Sequence, residues 1–89
     1  MMYQIVYSSL AQKDAKKLAR SNLKNKCLKL LKIICSDPYQ SPPPYKKLVG
    51  DLTGCISRRI NIQHRLLYKV YEEDKIVKVL RMWSHYENT

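Results

Sequence analysis

Three successive prolines, Pro42 to Pro44, divide this chain of 89 residues into two parts with different hydrophobic periods. Before them, apolar residues recur at the spacing of helices; after them, apolar and polar residues alternate as in strands. Consecutive prolines favour a stiff, extended connector. We interpret this one as a plain linker that also fixes where residues 45–48 are presented. The change of period favours a fold that contains both helices and strands.

One strand and two helices are predicted before the prolines. Tyr3 to Tyr7 alternates as a strand does, and Ser8 and Ser9 then offer hydroxyls for a helix N-cap. Ser21-Asn22 interrupts the helical pattern, so the two helices form a hairpin. Their apolar positions are Leu10, Ala11, Ala15, Leu18 and Ala19, then Leu23, Cys27, Leu30, Leu31 and Ile34. The lysines of the second helix lie mostly off this stripe, and we interpret them as a solvated face.

Three strands are predicted after the prolines, and they are Ser57–Ile62, His64–Tyr71 and Lys75–Trp83. Gly54 marks a turn or bulge, and a further short strand is expected near Leu48. The order is β-α-α-β-β-β. We therefore expect a single α+β domain over residues 1–89, with two helices packed on one face of an antiparallel sheet.

The composition indicates a polyanionic partner. Seventeen Lys and Arg against seven Asp and Glu give a formal net charge of +10. Nucleic acid is the leading candidate and an acidic protein the second, and the alternative is a soluble surface that happens to be basic. No helix-turn-helix pattern supports direct DNA binding, and basic charge by itself is non-specific.

The cysteines, histidines and apolar runs restrict the class of protein further. Cys27, Cys35 and Cys55 are odd in number and lack CxxC spacing, so we expect reduced, mostly buried side chains in a cytoplasmic protein. The two histidines lie too far apart in the sequence to supply paired zinc ligands. We find no secretory signal and no apolar run near ~18 residues, so no membrane span is expected.

The stretch from Ser57 to Tyr68 carries three arginines and a histidine. Arginine stays charged and presents a planar fork of donors that matches phosphate oxygens. If residues 61–64 form a tight turn, antiparallel pairing places Arg59 opposite Arg65, with both side chains on one face. Like charges in that position are unfavourable by up to ~1 kcal/mol, which suggests that an anion lies between them. A slip of one residue would undo this placement.

Several polar residues near these strands have a structural interpretation beside the functional one. We expect Arg58 to be a solvated or ion-paired surface residue and His64 to be a surface side chain of the turn. Trp83 fits the core and stacking on a base equally well. His85, beside Tyr86 and just past an apolar strand, is a natural proton carrier if it lies near the arginines.

Arg81 lies on the last predicted strand, which returns beside the strand of Arg65. It is therefore expected near Arg65 in the sheet. The alternative is that Arg81 pairs with a glutamate of the preceding turn, Glu72 or Glu73.

The chain resembles the YoeB/Txe branch of the RelE superfamily, bacterial toxins of toxin–antitoxin pairs. The resemblance covers nearly the whole chain, and the ordered set of motifs is far more specific than any one of them. These motifs are Tyr45-Lys46-Lys47-Leu48, Leu52-Thr53-Gly54, Ser57-Arg58-Arg59-Ile60-Asn61, His64-Arg65-Leu66-Leu67-Tyr68 and His85-Tyr86.

The resemblance implies a small α+β endoribonuclease that enters the ribosomal A site and cuts the mRNA there, without a cofactor or metal. Its partners would be the ribosome, the mRNA and a YefM-like antitoxin, acidic and partly disordered when free. The antitoxin neutralises the toxin, and contact with operator DNA would occur only through it. Members of this branch can form homodimers, and none of the implied partners is a membrane.

The resemblance also assigns roles in the attack of a 2′-OH on the neighbouring phosphate. Arg65 would stabilise the transition-state phosphate and Arg59 would assist it. His85 would be the general acid, and Tyr86 would orient the substrate or leaving group. The remaining RNA contacts are expected from Lys47, Arg58, Arg81 and Trp83.

Lys46 departs from the family pattern, which has a glutamate there as the presumed general base. A lysine ammonium, with a reference pKa near ~10.4, cannot accept a proton at pH 7. The change is a natural variation, an attenuating change or an inactivating mutation. The alternative function is therefore a weakened or inactive module that still binds antitoxin, ribosome and RNA.

Overall fold

The structure is a computed structural model that describes residues 2–82. Its elements are β1 (Gln4–Tyr7), α1 (Ser9–Ala19), α2 (Lys24–Ser36), β2 (Lys46–Lys47), a single 3-10 turn (Gly50–Leu52), β3 (Cys55–Arg59), β4 (Arg65–Tyr71) and β5 (Ile76–Arg81). The predicted order of helices and strands is confirmed, and β2 is the short strand expected near Leu48. The strand predicted over Ser57–Ile62 is found at Cys55–Arg59. It ends earlier than predicted because the turn that follows it takes up residues 60–64.

The five strands form one sheet in the order β1-β5-β4-β3-β2. The three pairs β2–β3, β3–β4 and β4–β5, each joined by a short connection, are antiparallel as expected. The sheet is nevertheless mixed rather than wholly antiparallel, because β1 pairs in parallel with β5. No hairpin joins these two strands, so no turn dictates their relative direction.

The serines flanking the helices satisfy backbone groups at the helix ends. The Ser8 hydroxyl accepts a hydrogen bond from the Ala11 N–H at 3.0 Å, which confirms Ser8 as the N-cap of α1. The same hydroxyl donates to the Leu80 carbonyl of β5 at 2.8 Å. Ser21 accepts from the Leu23 N–H and donates to the Leu18 carbonyl, which joins the two helices.

The core lies between the helical hairpin and one face of the sheet. The apolar stripes of the helices supply buried Ala11, Leu18, Cys27, Leu30 and Ile34; the sheet supplies Ile56, Leu66, Tyr68, Val77 and Val79. Burying one large aliphatic side chain stabilises a fold by roughly 1.5–3 kcal/mol, so this layer dominates stability. Cys27 and Cys55 are buried as expected, and Cys35 is partly buried. Among residues 2–82, no helix is both long and apolar enough to cross a membrane.

Alternation along β3 decides which residues can form a site. Ile56 belongs to the core beneath the helices, while Ser57 and Arg59 line a cleft on the opposite face. In β4, Leu66 likewise joins the core and Arg65 lines the cleft. Successive side chains of a strand point to opposite faces, so the sheet separates the apolar core from a polar surface.

Candidate functional site

The turn between β3 and β4 is built by one asparagine. The Asn61 Oδ1 accepts hydrogen bonds from the Gln63 N–H at 2.9 Å and the His64 N–H at 2.7 Å. The His64 carbonyl in turn accepts from the Ile60 N–H at 2.8 Å, which closes the turn. An asparagine side chain that imitates the backbone in this way is a common turn device.

This turn sets the register on which the site depends. Arg59 pairs directly with Arg65, as predicted from the sequence. Both side chains line one cleft of about 470 Å³, whose wall consists of Pro44, Tyr45, Lys46, Ser57, Arg59 and Arg65. Three of these six side chains are cationic, and none is acidic.

The short strand β2 brings the third cation into the cleft. Lys46 pairs with Ser57, so its side chain shares the face of Arg59 and Arg65. Lys46 and Arg59 are exposed, Arg65 is half-buried and Ser57 is buried. Nη1 of Arg65 donates a long hydrogen bond of 3.4 Å to the Ser57 hydroxyl. Chemically, the arrangement can hold and stabilise a phosphate group from two sides.

The expectation that Arg58 is a surface residue is wrong. Its side chain is only 1% exposed and lies on the face opposite the cleft, since it alternates with Ser57 and Arg59. The guanidinium donates to the Tyr68 hydroxyl and to the carbonyls of residues 38, 40 and 43. This buried position leaves Arg58 no direct access to RNA.

Arg81 pairs with Asp14 of α1 rather than with Glu72 or Glu73. Nε of Arg81 lies 2.9 Å from Oδ2 of Asp14, which also accepts the Met82 N–H at 3.0 Å. Burial alone would raise the pKa of the Asp14 carboxyl. The hydrogen bonds from Arg81 and the Met82 N–H, together with the Arg81 charge, outweigh burial and hold this pKa below its usual range.

The other predicted site residues fall outside the cleft. Lys47 pairs with Ile56 and lines a separate depression with Tyr39 and Gly54, on the opposite side of β2 from Lys46. Arg81, although its backbone pairs with Leu67 near Arg65, is not among the residues that line the cleft. Trp83, His85 and Tyr86, named as a base-stacking or core residue, a general acid and an orienting residue, lie outside the described residues.

Two features of the structure, Ser57 in the cleft and the ion pair of Asp14, were missed by the sequence prediction, although a signal for each exists. Ser57 shares its strand face with Arg59, and a two-residue alternation read from Arg59 would have placed it in the cleft. Asp14 follows Ala11 by three residues and precedes Leu18 by four, which puts a carboxylate in the apolar stripe of α1. A lone acid at such a position indicates a buried ion pair.

Within residues 2–82, no three His, Cys, Asp or Glu side chains lie close enough together to hold a metal ion. The described lining of the cleft carries one ammonium group, from Lys46, and two guanidinium groups, from Arg59 and Arg65, beside Ser57 and Tyr45.

Comparisons with known proteins agree with this arrangement of helices and sheet. Residues 6–86 match the family model of the YoeB-like toxin of bacterial type II toxin–antitoxin systems. A toxin YoeB from Synechocystis sp. is 36% identical over 81 residues, which cover 91% of this chain and 85% of that protein.

Two solved structures from Staphylococcus aureus have the same fold. One is a YoeB–YefM complex, 34% identical with a TM-score of 0.80, covering 97% of this chain and 100% of the matched chain. The other is a YoeB dimer, 32% identical with a TM-score of 0.80 and the same coverage. The chain therefore belongs to the family of YoeB-like toxins of bacterial type II toxin–antitoxin systems.

Proposed function

We propose that this toxin is a ribosome-dependent endoribonuclease that cleaves mRNA in the A site and thereby inhibits translation in the cytoplasm. The observation that carries the proposal is the cleft in which Lys46, Arg59 and Arg65 converge, with no acidic side chain among the described residues that line it. Membership of the YoeB-like toxin family supports the same activity.

In the proposed reaction, the 2′-OH attacks the adjacent phosphate and the 5′-oxygen leaves, without a metal. Negative charge builds on the phosphate oxygens in the transition state, and fixed cations stabilise it most when they are already in position. Arg65 is half-buried and bonded to Ser57, whereas Arg59 is exposed, so Arg65 is assigned the principal role. Arg59, directly opposite, assists it.

The proton transfers are assigned by resemblance to the family. His85 would protonate the leaving 5′-oxygen, and Tyr86 would orient it. Trp83 would stack on a base. Lys47, which lies outside the cleft, would contact the RNA backbone beyond the scissile phosphate, and Arg58 and Arg81 are no longer assigned to RNA.

Lys46 favours the second candidate function, a module that binds antitoxin, ribosome and RNA but cleaves weakly. It lies in the cleft at the position where the family pattern has a glutamate. An ammonium there stabilises negative charge but offers no lone pair for the proton of the 2′-OH. Proton removal would then fall to water or to the RNA itself, and the reaction would be slower.

The proposed protein partner is an acidic antitoxin of the YefM type. A relative from S. aureus is found in a complex with YefM, and the charge of +10 favours an acidic partner. A homodimer is proposed because another S. aureus relative is a dimer. Purification from the native host should recover an acidic protein encoded beside this gene, and recovery of the toxin alone would contradict this part of the proposal.

The activity is tested with purified protein and ribosomes carrying a defined mRNA. Primer extension should map new mRNA ends within the A-site codon, and Arg65→Gln should abolish them. Lys29→Gln is the matched control, because it removes one positive charge from the exposed face of α2 and leaves the cleft intact. Ribosome binding without cleavage would reject the enzyme and favour the binding module.

Growth assays separate the two candidate functions in the cell. Expression of the toxin without its antitoxin should arrest growth, and His85→Ala should restore it. Normal growth on expression of the folded wild-type chain would favour the module.

A further inference from the structure

We propose that Arg58 is a positioning residue for the cleft: it holds the segment from Pro38 to Tyr45 against the sheet, and so fixes Tyr45 and Lys46 as one wall of the site. The proposal rests on the proposed function, because it concerns cleavage in the same cleft. Arg58 itself faces away from the substrate and acts only through the segment that it holds.

The guanidinium of Arg58 forms hydrogen bonds with several backbone carbonyls of this segment. Nη1 donates to the Pro43 carbonyl at 2.6 Å, while Nη2 donates to the carbonyls of Pro38 at 3.0 Å and Gln40 at 2.8 Å. Three carbonyls spread over six residues therefore converge on one side chain. Most segments of this length are stabilised by backbone hydrogen bonds within local turns. A run of prolines offers few N–H donors for such bonds.

Tyr68, on the neighbouring strand β4, binds both Arg58 and the segment. Its hydroxyl accepts from Nε of Arg58 at 2.9 Å and donates to the Pro38 carbonyl at 2.7 Å. Burial raises the pKa of Tyr68, although the Arg58 charge works against this, so the hydroxyl keeps its proton at neutral pH and remains a donor. Tyr68 is fully buried, so these hydrogen bonds between Arg58, Tyr68 and the Pro38 carbonyl are fixed to β4.

Arg58 also contacts the cleft wall directly through Tyr45. Its Cζ lies 4.9 Å from the centre of the Tyr45 ring, a cation–π distance. Tyr45 lines the cleft, and the next residue, Lys46, pairs with Ser57. The side chain of Arg58 thus supports the back of the wall whose front faces Arg59 and Arg65.

The chemistry requires arginine at this position. A planar guanidinium can donate in several fixed directions and still stack flat against a ring, whereas a lysine ammonium is a compact point charge. Among the described residues, no carboxylate forms a salt bridge with Arg58, so carbonyl dipoles and the Tyr45 ring compensate its buried charge. Arg58→Lys should keep the charge but release part of the segment.

The test compares three variants in the ribosome cleavage assay. Arg58→Lys removes the fork, Tyr68→Phe removes the hydroxyl but keeps Arg58, and Val77→Ala is the matched control, a core truncation in β5 away from the segment. Circular dichroism selects a temperature at which all three are folded. Hydrogen exchange of the peptide covering residues 39–48 reports on the segment itself.

We expect Arg58→Lys to lower kcat about tenfold or more while KM changes less than about threefold, because phosphate still binds to Arg59 and Arg65 but the wall is misplaced. Tyr68→Phe should have the same effect at a smaller size. Both should accelerate exchange in residues 39–48, and Val77→Ala should change neither kcat nor that exchange. A purely structural role would instead make Arg58→Lys resemble Val77→Ala.

Two results would overturn the proposal: cleavage by Arg58→Lys equal to that of Val77→Ala, or a lower kcat without faster exchange in residues 39–48. If the wild-type protein does not cleave at all, the proposed function fails. The exchange measurement still decides the positioning claim in that case, and unchanged exchange in Arg58→Lys would reject it.

Discussion

Replacement of Arg59 by glutamine should stabilise the folded toxin when no anion is bound. Arg59 and Arg65 lie directly opposite each other in the antiparallel ladder, and both line the same cleft. Repulsion between these two charges therefore lowers the free energy of unfolding, and a sheet selected only for stability would avoid this pair. Arg59 is the better position to change, since it is exposed and Arg65 also bonds to Ser57.

The size of the effect follows from the geometry. Like charges directly opposite on a sheet cost roughly 0.2–1 kcal/mol. We expect the free energy of unfolding to rise by about 0.5 kcal/mol at low ionic strength, which is about 2–4 °C in Tm for a domain of this size. At about 1 M salt the Debye length falls to about 3 Å, and the gain should largely disappear.

Sulfate should reverse the order of stability of the wild-type protein and Arg59→Gln. An anion at about ten times its Kd adds roughly 1.4 kcal/mol to the protein that binds it. The wild-type protein holds both guanidinium forks and should gain most of this, whereas Arg59→Gln should gain little. The variant is then more stable without sulfate and less stable with it.

The assay is urea denaturation with and without sodium sulfate, at ionic strength matched with sodium chloride. Lys29→Gln lowers the net charge equally but lies on the exposed face of α2, so its stability should shift in parallel with the wild type. A less stable Arg59→Gln at low salt, or equal stabilisation of both proteins by sulfate, would refute the reasoning.

Three further predictions concern other parts of the molecule. Lys46→Glu should accelerate cleavage on ribosomes by supplying the missing base, in the range of 10²–10⁴-fold typical of general base catalysis; unchanged or slower cleavage would mean that Lys46 has not replaced a lost base. Asp14→Asn should lower the free energy of unfolding at pH 7 by about 1–3 kcal/mol. Because the folded-state pKa of Asp14 is depressed, the wild-type advantage is present above the unfolded pKa near ~3.9 and is lost as pH falls through the folded value; a gap in stability that persists unchanged at pH 2 would contradict this. Burial raises the pKa of Cys27 to about 11, so iodoacetamide at pH 8 should leave it unmodified in the native protein; mass spectra showing Cys27 labelled before Cys35 would contradict the assignment.

The elements of the fold were largely predictable from short-range patterns. Helical spacing in the first half identified α1 and α2, and alternation in the second identified β3, β4 and β5. The turn at Asn61 gave the pairing of Arg59 with Arg65. The parallel pairing of β1 with β5 was not predictable in the same way, because these strands are separated by nearly the whole chain. Long-range pairing depends on how the helical hairpin packs, and no local motif records it.

The site was predictable only in part, for a different reason. Arg59 and Arg65 lie opposite each other as predicted, and Lys46 joins them because the β2–β3 and β3–β4 ladders share strand β3. Arg58 was misjudged because an arginine in a strand is usually exposed, and its partners are backbone carbonyls that have no signature in a sequence. The residue type indicated a charge, but only the tertiary structure shows what compensates it.

The buried position of Arg58 changes how the charge of this toxin should be counted. Each cation that neutralises an RNA phosphate releases a counterion, so affinity falls with salt at a slope set by the number of such contacts. Arg58 is sequestered by carbonyls and Arg81 is paired with Asp14, so neither should contribute to that slope. The formal charge of +10 already counts the Arg81–Asp14 pair as zero, but it includes the buried Arg58, so it overstates the positive charge available to RNA. Arg58 and Arg59 are adjacent residues of one strand, yet they should differ in a salt titration of RNA affinity. Loss of Arg59 should reduce the slope, whereas loss of Arg58 should leave it unchanged.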